Sequence, residues 1–157
     1  MNIKVFISHK KEDKPQAIWL QSYLHARGID SFLDATDNGP SGYRSLTEWI
    51  VANLRKSTHI IAVISEKTKG SMWVPFELGV GYERNEGIGT FLNGPVYSLP
   101  DYLLEFPIMK TTYDLDLFIN QCKKPARYFV TDAANGIMRL DPNYARNFID
   151  ELKNNLR

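Results

Sequence analysis

Apolar residues recur along this chain in two rhythms. Short continuous runs alternate with stretches in which they return every three or four positions, a pattern that predicts strands separated by helices. Residues 3–8 (Ile-Lys-Val-Phe-Ile-Ser) form the first run and read as a buried strand. Pro15 then stands where a first helical turn tolerates it. Ala17, Ile18, Leu20, Tyr23 and Leu24 keep helical spacing, and Gly28 follows as a stop. Residues 29–33 predict a second strand closing at Asp34, and residues 35–42 are dense in turn formers and read as a loop. Residues 43–56 are expected to be helical, with Leu46, Trp49, Ile50 and Leu54 on one face.

Residues 59–64 hold an unbroken run of apolar, mostly β-branched residues, as in a strand covered on both faces. A loop over 67–71 leads to a helix from near Trp73 to about Arg84. Gly87, Gly89, Gly94 and Pro95 read as breaks, so a fourth strand is expected at 90–92 or 95–97. Residues 106–109 predict a fifth strand, followed by a helix through Leu115 and Cys122. Beyond Pro125 come a strand-like 127–131 and an amphipathic helix over about 144–156.

This alternation predicts an α/β fold, a parallel sheet with helices on both faces. Right-handed crossovers place every strand-to-helix loop on one edge, where ligands bind in such sheets. That rule gathers Ser8, His9, Lys10, the loop from Asp34, Ser65 and the helix start at Trp73 onto one rim.

Composition narrows the classes. A chain of 157 residues fits one domain. Nineteen basic residues against eighteen acidic ones argue against broad capture of nucleic acid or of an anionic membrane. The one cysteine, Cys122, allows no intrachain disulfide, which fits a reducing compartment, and its helical setting reads as packing. No apolar run approaches the ~20 residues of a membrane span. The amino terminus runs straight into a strand pattern that leaves no room for a signal peptide, so a cytoplasmic location is expected.

Trp73 and Glu77 are the candidate chemistry. A spacing of four places them one turn apart on one helix face. Pro75 suits only a first turn, so the pair is expected at the helix amino terminus, where the dipole favours an ionised carboxylate. Spacing alone leaves two readings, a catalytic pair or a helix-start glutamate beside a packing tryptophan, and favours the second. Gly79 and Gly81 make an incomplete dinucleotide fingerprint inside a helix rather than at a strand-to-helix turn. His9, His25 and His59 have no metal-ligand spacing with the lone cysteine, so no metal is expected. No phosphate loop or nucleophile elbow occurs.

Phe6-Ile-Ser-His-Lys with Glu12 and Asp13 resembles the first box of Toll/interleukin-1 receptor (TIR) domains. Ser31-Phe-Leu-Asp34, the Gly/Pro loop to Gly42 and Tyr43, and the run from Ile60 to Ser65 resemble the strands and loop that follow in that family. The segment from Ser71 to Leu78 is similar to the Trp-x-x-x-Glu stretch of its NAD-cleaving members, including stand-alone bacterial ones.

The resemblance implies a flavodoxin-like, doubly wound sheet of five parallel strands, with residues 1–124 as the TIR-like domain and 125–157 as an extension packed on it. It implies Glu77 as the catalytic residue, Trp73 beside it, and substrate contacts from Ser8, His9, Lys10, Asp34 and Tyr43. His9 reads equally as a solvated loop residue, and Asp34 as a bond to its own loop backbone. NAD is then consumed as substrate, with no cofactor. Such a reaction suits one fixed carboxylate, because the pyridinium departs without a proton while the oxocarbenium-like ribose needs a negative partner. A second acid is unnecessary, unlike ordinary glycoside hydrolysis. The products are ADP-ribose, a cyclic isomer or a conjugate. The resemblance further implies homo-oligomers through TIR–TIR contacts, antiphage defence and a downstream effector that senses the product. The rival readings are a non-catalytic adaptor acting by homotypic assembly and a nucleoside deoxyribosyltransferase-like enzyme.

Overall fold

The apolar runs pair edge to edge. The computed structural model describes residues 2–33, 45–125, 128–132 and 137–157. In it, β1 (Lys4–Ser8), β2 (Asp30–Leu33), β3 (His59–Ile64), β4 (Gly87–Leu92) and β5 (Ile108–Met109) form a sheet of order β2-β1-β3-β4-β5. Every pairing in it is parallel. This is the doubly wound, flavodoxin-like α/β order, with its topological switch between β1 and β3.

Side chains alternate across the sheet and build two cores. On one face Val5, Ile7, Ile61 and Val63 pack against Ala17, Leu20 and Leu24 of α1 (Lys14–His25) and Leu115 and Phe118 of α5 (Thr112–Lys123). On the other, Phe6, Ile60, Ala62 and Ile64 meet Ile50 and Leu54 of α2 (Leu46–Leu54), Val74 and Leu78 of α3 (Trp73–Glu83) and Leu103 of the short α4 (Asp101–Leu104). Ile18 falls outside the buried stripe of α1 and is 47 % exposed, because one residue turns the helix by about 100°. Helix α2 begins at Leu46, and residues 43 and 44 of its expected range lie outside the described residues. Ser45 caps it by accepting the Glu48 N–H at 3.2 Å.

The fourth strand is longer than either expected range, and 95–97 is not part of it. Gly87 and Gly89 are strand residues, not breaks. A Cβ on Gly87 would stand 2.4 Å from the His59 ring, and one on Gly89 2.8 Å from the Met109 methyl. They are small because neighbours lie against the backbone. Gly28, at φ 76°, ends α1 as expected.

Past the sheet, β6 (Tyr128–Asp132) pairs antiparallel with β7 (Ile137–Leu140), a partner the sequence pattern did not suggest. Helix α6 (Tyr144–Asn155) then returns to the sheet, with Phe148 and Leu152 in one core and Ile149 in the other. Cys122 is buried, and burial pushes its thiol pKa up, which suits a packing residue.

Two buried polar groups mark the amino edge. His59 Nδ1 lies 2.8 Å from Thr58 Oγ1 and Nε2 2.9 Å from the Tyr144 hydroxyl, among the rings of Phe118 and Phe148. Burial lowers its pKa to about 3. Glu86, just before β4, accepts from Ser57 Oγ at 2.9 Å and Arg84 Nε at 3.0 Å, yet burial raises it to about 7.

Candidate functional site

Helix α3 is positioned by its first turn. Ser71 Oγ accepts the Trp73 N–H at 3.2 Å and the Val74 N–H at 3.4 Å, which meets two of the donors a helix start leaves open. Pro75 is the third helical residue, where its missing N–H removes no intrahelical bond. Glu77 is consequently the fifth residue and lies in the second turn, not the first as its proline neighbour suggested. No acidic residue occupies the first turn of α3. The helix-end field falls off within that turn, so Glu77 lies beyond most of its reach.

Glu77 occupies a core position. Val74, Glu77, Leu78 and Gly81 are the buried residues of α3, a single stripe turned to the sheet. Gly81 lets the helix lie close, since a Cβ there would meet Ile60 Cδ1 at 2.1 Å. This close approach accounts for Gly81 without any dinucleotide role. In such a stripe an apolar residue would pack without penalty, whereas a carboxylate must be satisfied by partners. Glu77 is 1 % exposed, and its Oε2 accepts a short hydrogen bond from Ser8 Oγ at the carboxyl end of β1. The pair bridges β1 and the helix that follows β3, at the switch point of the sheet.

The other sequence candidates divide. Ser8 is fully buried, and its hydroxyl is directed to Glu77. His9 is not a solvated loop residue. It is 4 % exposed, with Nδ1 3.2 Å from the Ile7 carbonyl oxygen, a bond it donates as the Nδ1–H tautomer. Lys10 is half-buried and precedes a 3-10 turn at Lys11–Asp13. Trp73 is also half-buried, edge-to-face on Phe76 with centroids 5.9 Å apart. Asp34 and Tyr43 lie outside the described residues.

Sequence reasoning missed a polar cluster around the buried Asp13. Asp13 accepts from Thr68 Oγ1 and, at 3.0 Å, from Asn93 Nδ2. Asp13 belongs to the stretch that resembles the first TIR box. Thr68 and Asn93 carry no local signal, because their partner is 55 and 80 residues away in the chain.

A groove of about 610 Å³ lies elsewhere on the same edge, lined in part by Leu92, Pro95, Leu99 and Ile108. Its Asp114 is already engaged, accepting the Lys110 and Thr111 N–H groups in the capping box of α5. Among the described residues no group of three or more His, Cys, Asp or Glu could hold a metal ion, and no helix is long and apolar enough to cross a membrane.

A family model for the TIR domain matches residues 5–118. The structure is similar to the TIR domain of the Toll-related receptor TRR-2 from Hydra magnipapillata. The TM-score is 0.57 at 20 % identity, over 95 % of this chain and 97 % of that one. The TIR domains of the activated Roq1 resistosome, which recognises the pathogen effector XopQ, give a TM-score of 0.46 at 21 % identity over 57 % of each chain. No curated protein matches the chain.

Proposed function

The chain belongs to the TIR domain family, and on that premise we propose that it cleaves the nicotinamide–ribose bond of NAD with Glu77 as the catalytic carboxylate. The observation that carries the reading is a glutamate in the sheet-facing stripe of α3, bonded to Ser8 at the switch point. A residue kept only for packing would be apolar there.

The chemistry follows from the charge of the substrate. As the C1′–N bond breaks, nicotinamide leaves as a neutral molecule and positive charge develops on the ribose. A carboxylate fixed in place before the reaction stabilises that charge without reorganising. Ser8 holds one oxygen and so fixes the carboxylate in place. Trp73 at the helix start stacks on the nicotinamide ring or shields it from water. His9 and Lys10 at the end of β1, with Asp34 and Tyr43, complete the substrate contacts in this reading. Water at C1′ gives ADP-ribose, an internal nucleophile gives a cyclic isomer, and an external one gives a conjugate. The product serves as a signalling nucleotide in antiphage defence, read by a separate effector, and TIR–TIR assembly raises activity.

Purified protein incubated with NAD, across protein concentrations, tests this by nicotinamide release alongside Glu77→Gln. Release by the wild type and its loss, by about two orders of magnitude or more, in the variant is expected for a group acting on the transition state. Equal release by both removes Glu77 from its role. Absence of release even at high concentration favours an adaptor, and cleavage of deoxynucleosides in its place favours a deoxyribosyltransferase.

A further inference from the structure

Two loops that leave adjacent parallel strands are tied together twice. Next to the sheet, Ser8 at the end of β1 bonds Glu77 of α3. Farther out, Asp13, 1 % exposed, receives the hydroxyl of Thr68 and the amide of Asn93. Thr68 Oγ1 in turn accepts the Ser65 N–H at 2.9 Å. The N–H groups of Thr68 and Lys69 both close on the Ser65 carbonyl, so the exit from β3 is one hydrogen-bonded turn. That turn ends at Ser71, whose N–H bonds the Thr68 carbonyl at 2.9 Å and whose Oγ caps α3. On the other side the Asp13 N–H bonds the Lys10 carbonyl at 2.9 Å, directly after His9 and Ser8. The bonds close a ring that passes through Ser8, Lys10, Asp13, Thr68, Ser71, the start of α3 and Glu77. Asn93, whose own N–H bonds the Ile64 carbonyl at 2.7 Å, braces the ring from the end of β4.

We infer that Asp13, Thr68 and Asn93 form a clamp that sets the position of α3, and with it the Glu77 carboxylate, relative to Ser8 and the substrate. The inference rests on the NAD-cleaving reading for its kinetic consequence. Leaving a buried carboxylate short of a partner is expensive, so the loops it joins move as one body. A carboxylate meant to stabilise developing charge tolerates little displacement, since about 1 Å of misplacement costs up to about a hundredfold in rate. All three act through the position of α3 rather than on the substrate. They are positioning residues.

The pair Thr68→Val and Thr68→Ser tests this, the first removing the hydroxyl at constant shape and the second retaining it. Nicotinamide release is measured over a range of NAD, with backbone amide exchange recorded on the same samples. Thr68→Val is expected to lower kcat about ten- to hundredfold with KM within about threefold, and Thr68→Ser to stay near the wild type. Exchange in Thr68→Val is expected to quicken in 10–13 and 65–71 together. A folded Thr68→Val that is less heat-stable but keeps its kcat overturns the inference. So does loosening confined to 65–71. If Thr68→Val does not fold, Asn93→Ala, which removes one of the two bonds to Asp13, is judged by the same readings. A wild type that releases no nicotinamide defeats the NAD reading alone, and coordinated exchange of the two segments then decides for or against the clamp.

Discussion

Acidification acts with opposite signs on two buried groups at the amino edge of the sheet. Burial lowers His59 from its ordinary 6.5 to about 3. Between those values the unfolded chain takes up a proton that the folded chain refuses. The stability His59 contributes above pH 6.5 is therefore lost as pH falls towards 3. Burial raises Glu86 from 4.5 to about 7, against smaller opposing effects of Ser57 and Arg84. Here the folded chain binds the proton more tightly. Its contribution is full below 4.5 and is lost as pH rises through about 7.

At about 1.4 kcal/mol per pH unit, going from pH ~8 to pH ~5 removes about 2 kcal/mol through His59 and adds about 2–3 kcal/mol through Glu86. In the wild type the two nearly cancel, so its stability changes little through them over that range. Single variants uncover each one. Glu86→Gln is expected to lose about 2 kcal/mol on acidification, and His59→Gln to gain about 2–3 kcal/mol. Each variant is referred to its own value at the higher pH, so the fixed cost of the substitution drops out. Urea-unfolding midpoints at several pH values, with the slope m checked for constancy, measure this. Curves for both variants that run parallel to the wild type would refute the reasoning.

Ser8→Ala removes the hydroxyl that Glu77 Oε2 accepts. A hydrogen bond to a charged group is worth about 1.5–3 kcal/mol, so nicotinamide release is expected to fall about ten- to hundredfold, measured at saturating NAD; an unchanged kcat removes Ser8 from the site. Phe148→Ala opens a cavity where α6 meets the sheet, at a side chain 2 % exposed, and is expected to cost about 3–5 kcal/mol in denaturant unfolding. A loss below about 1 kcal/mol would mean that α6 adds little to the core.

Much of the fold is legible in the order of residues because its signals are local. The apolar run of β3, Gly28 after α1, and Pro15 at a helix start each report a backbone conformation that neighbours along the chain already dictate. The strand–helix alternation then leaves few parallel topologies, and the observed one is among them. The crossover rule also brings the start of α3, at Trp73, to the same edge as the end of β1.

What surrounds Glu77 depends on chain segments far apart in sequence. Its turn of helix follows from Ser71 capping α3, and its burial from Gly81 admitting Ile60. Ser8 meets it across 69 residues of sequence. Gly87 and Gly89 read as breaks until the His59 ring and the Met109 methyl are seen against them. Asp13, Thr68 and Asn93 carry no joint pattern in the chain, because only the parallel order of β1, β3 and β4 brings their loops to one place. Local propensity and periodicity determine which elements form. Long-range contacts, invisible to any short window, decide which polar side chains are buried together and what Glu77 can hold.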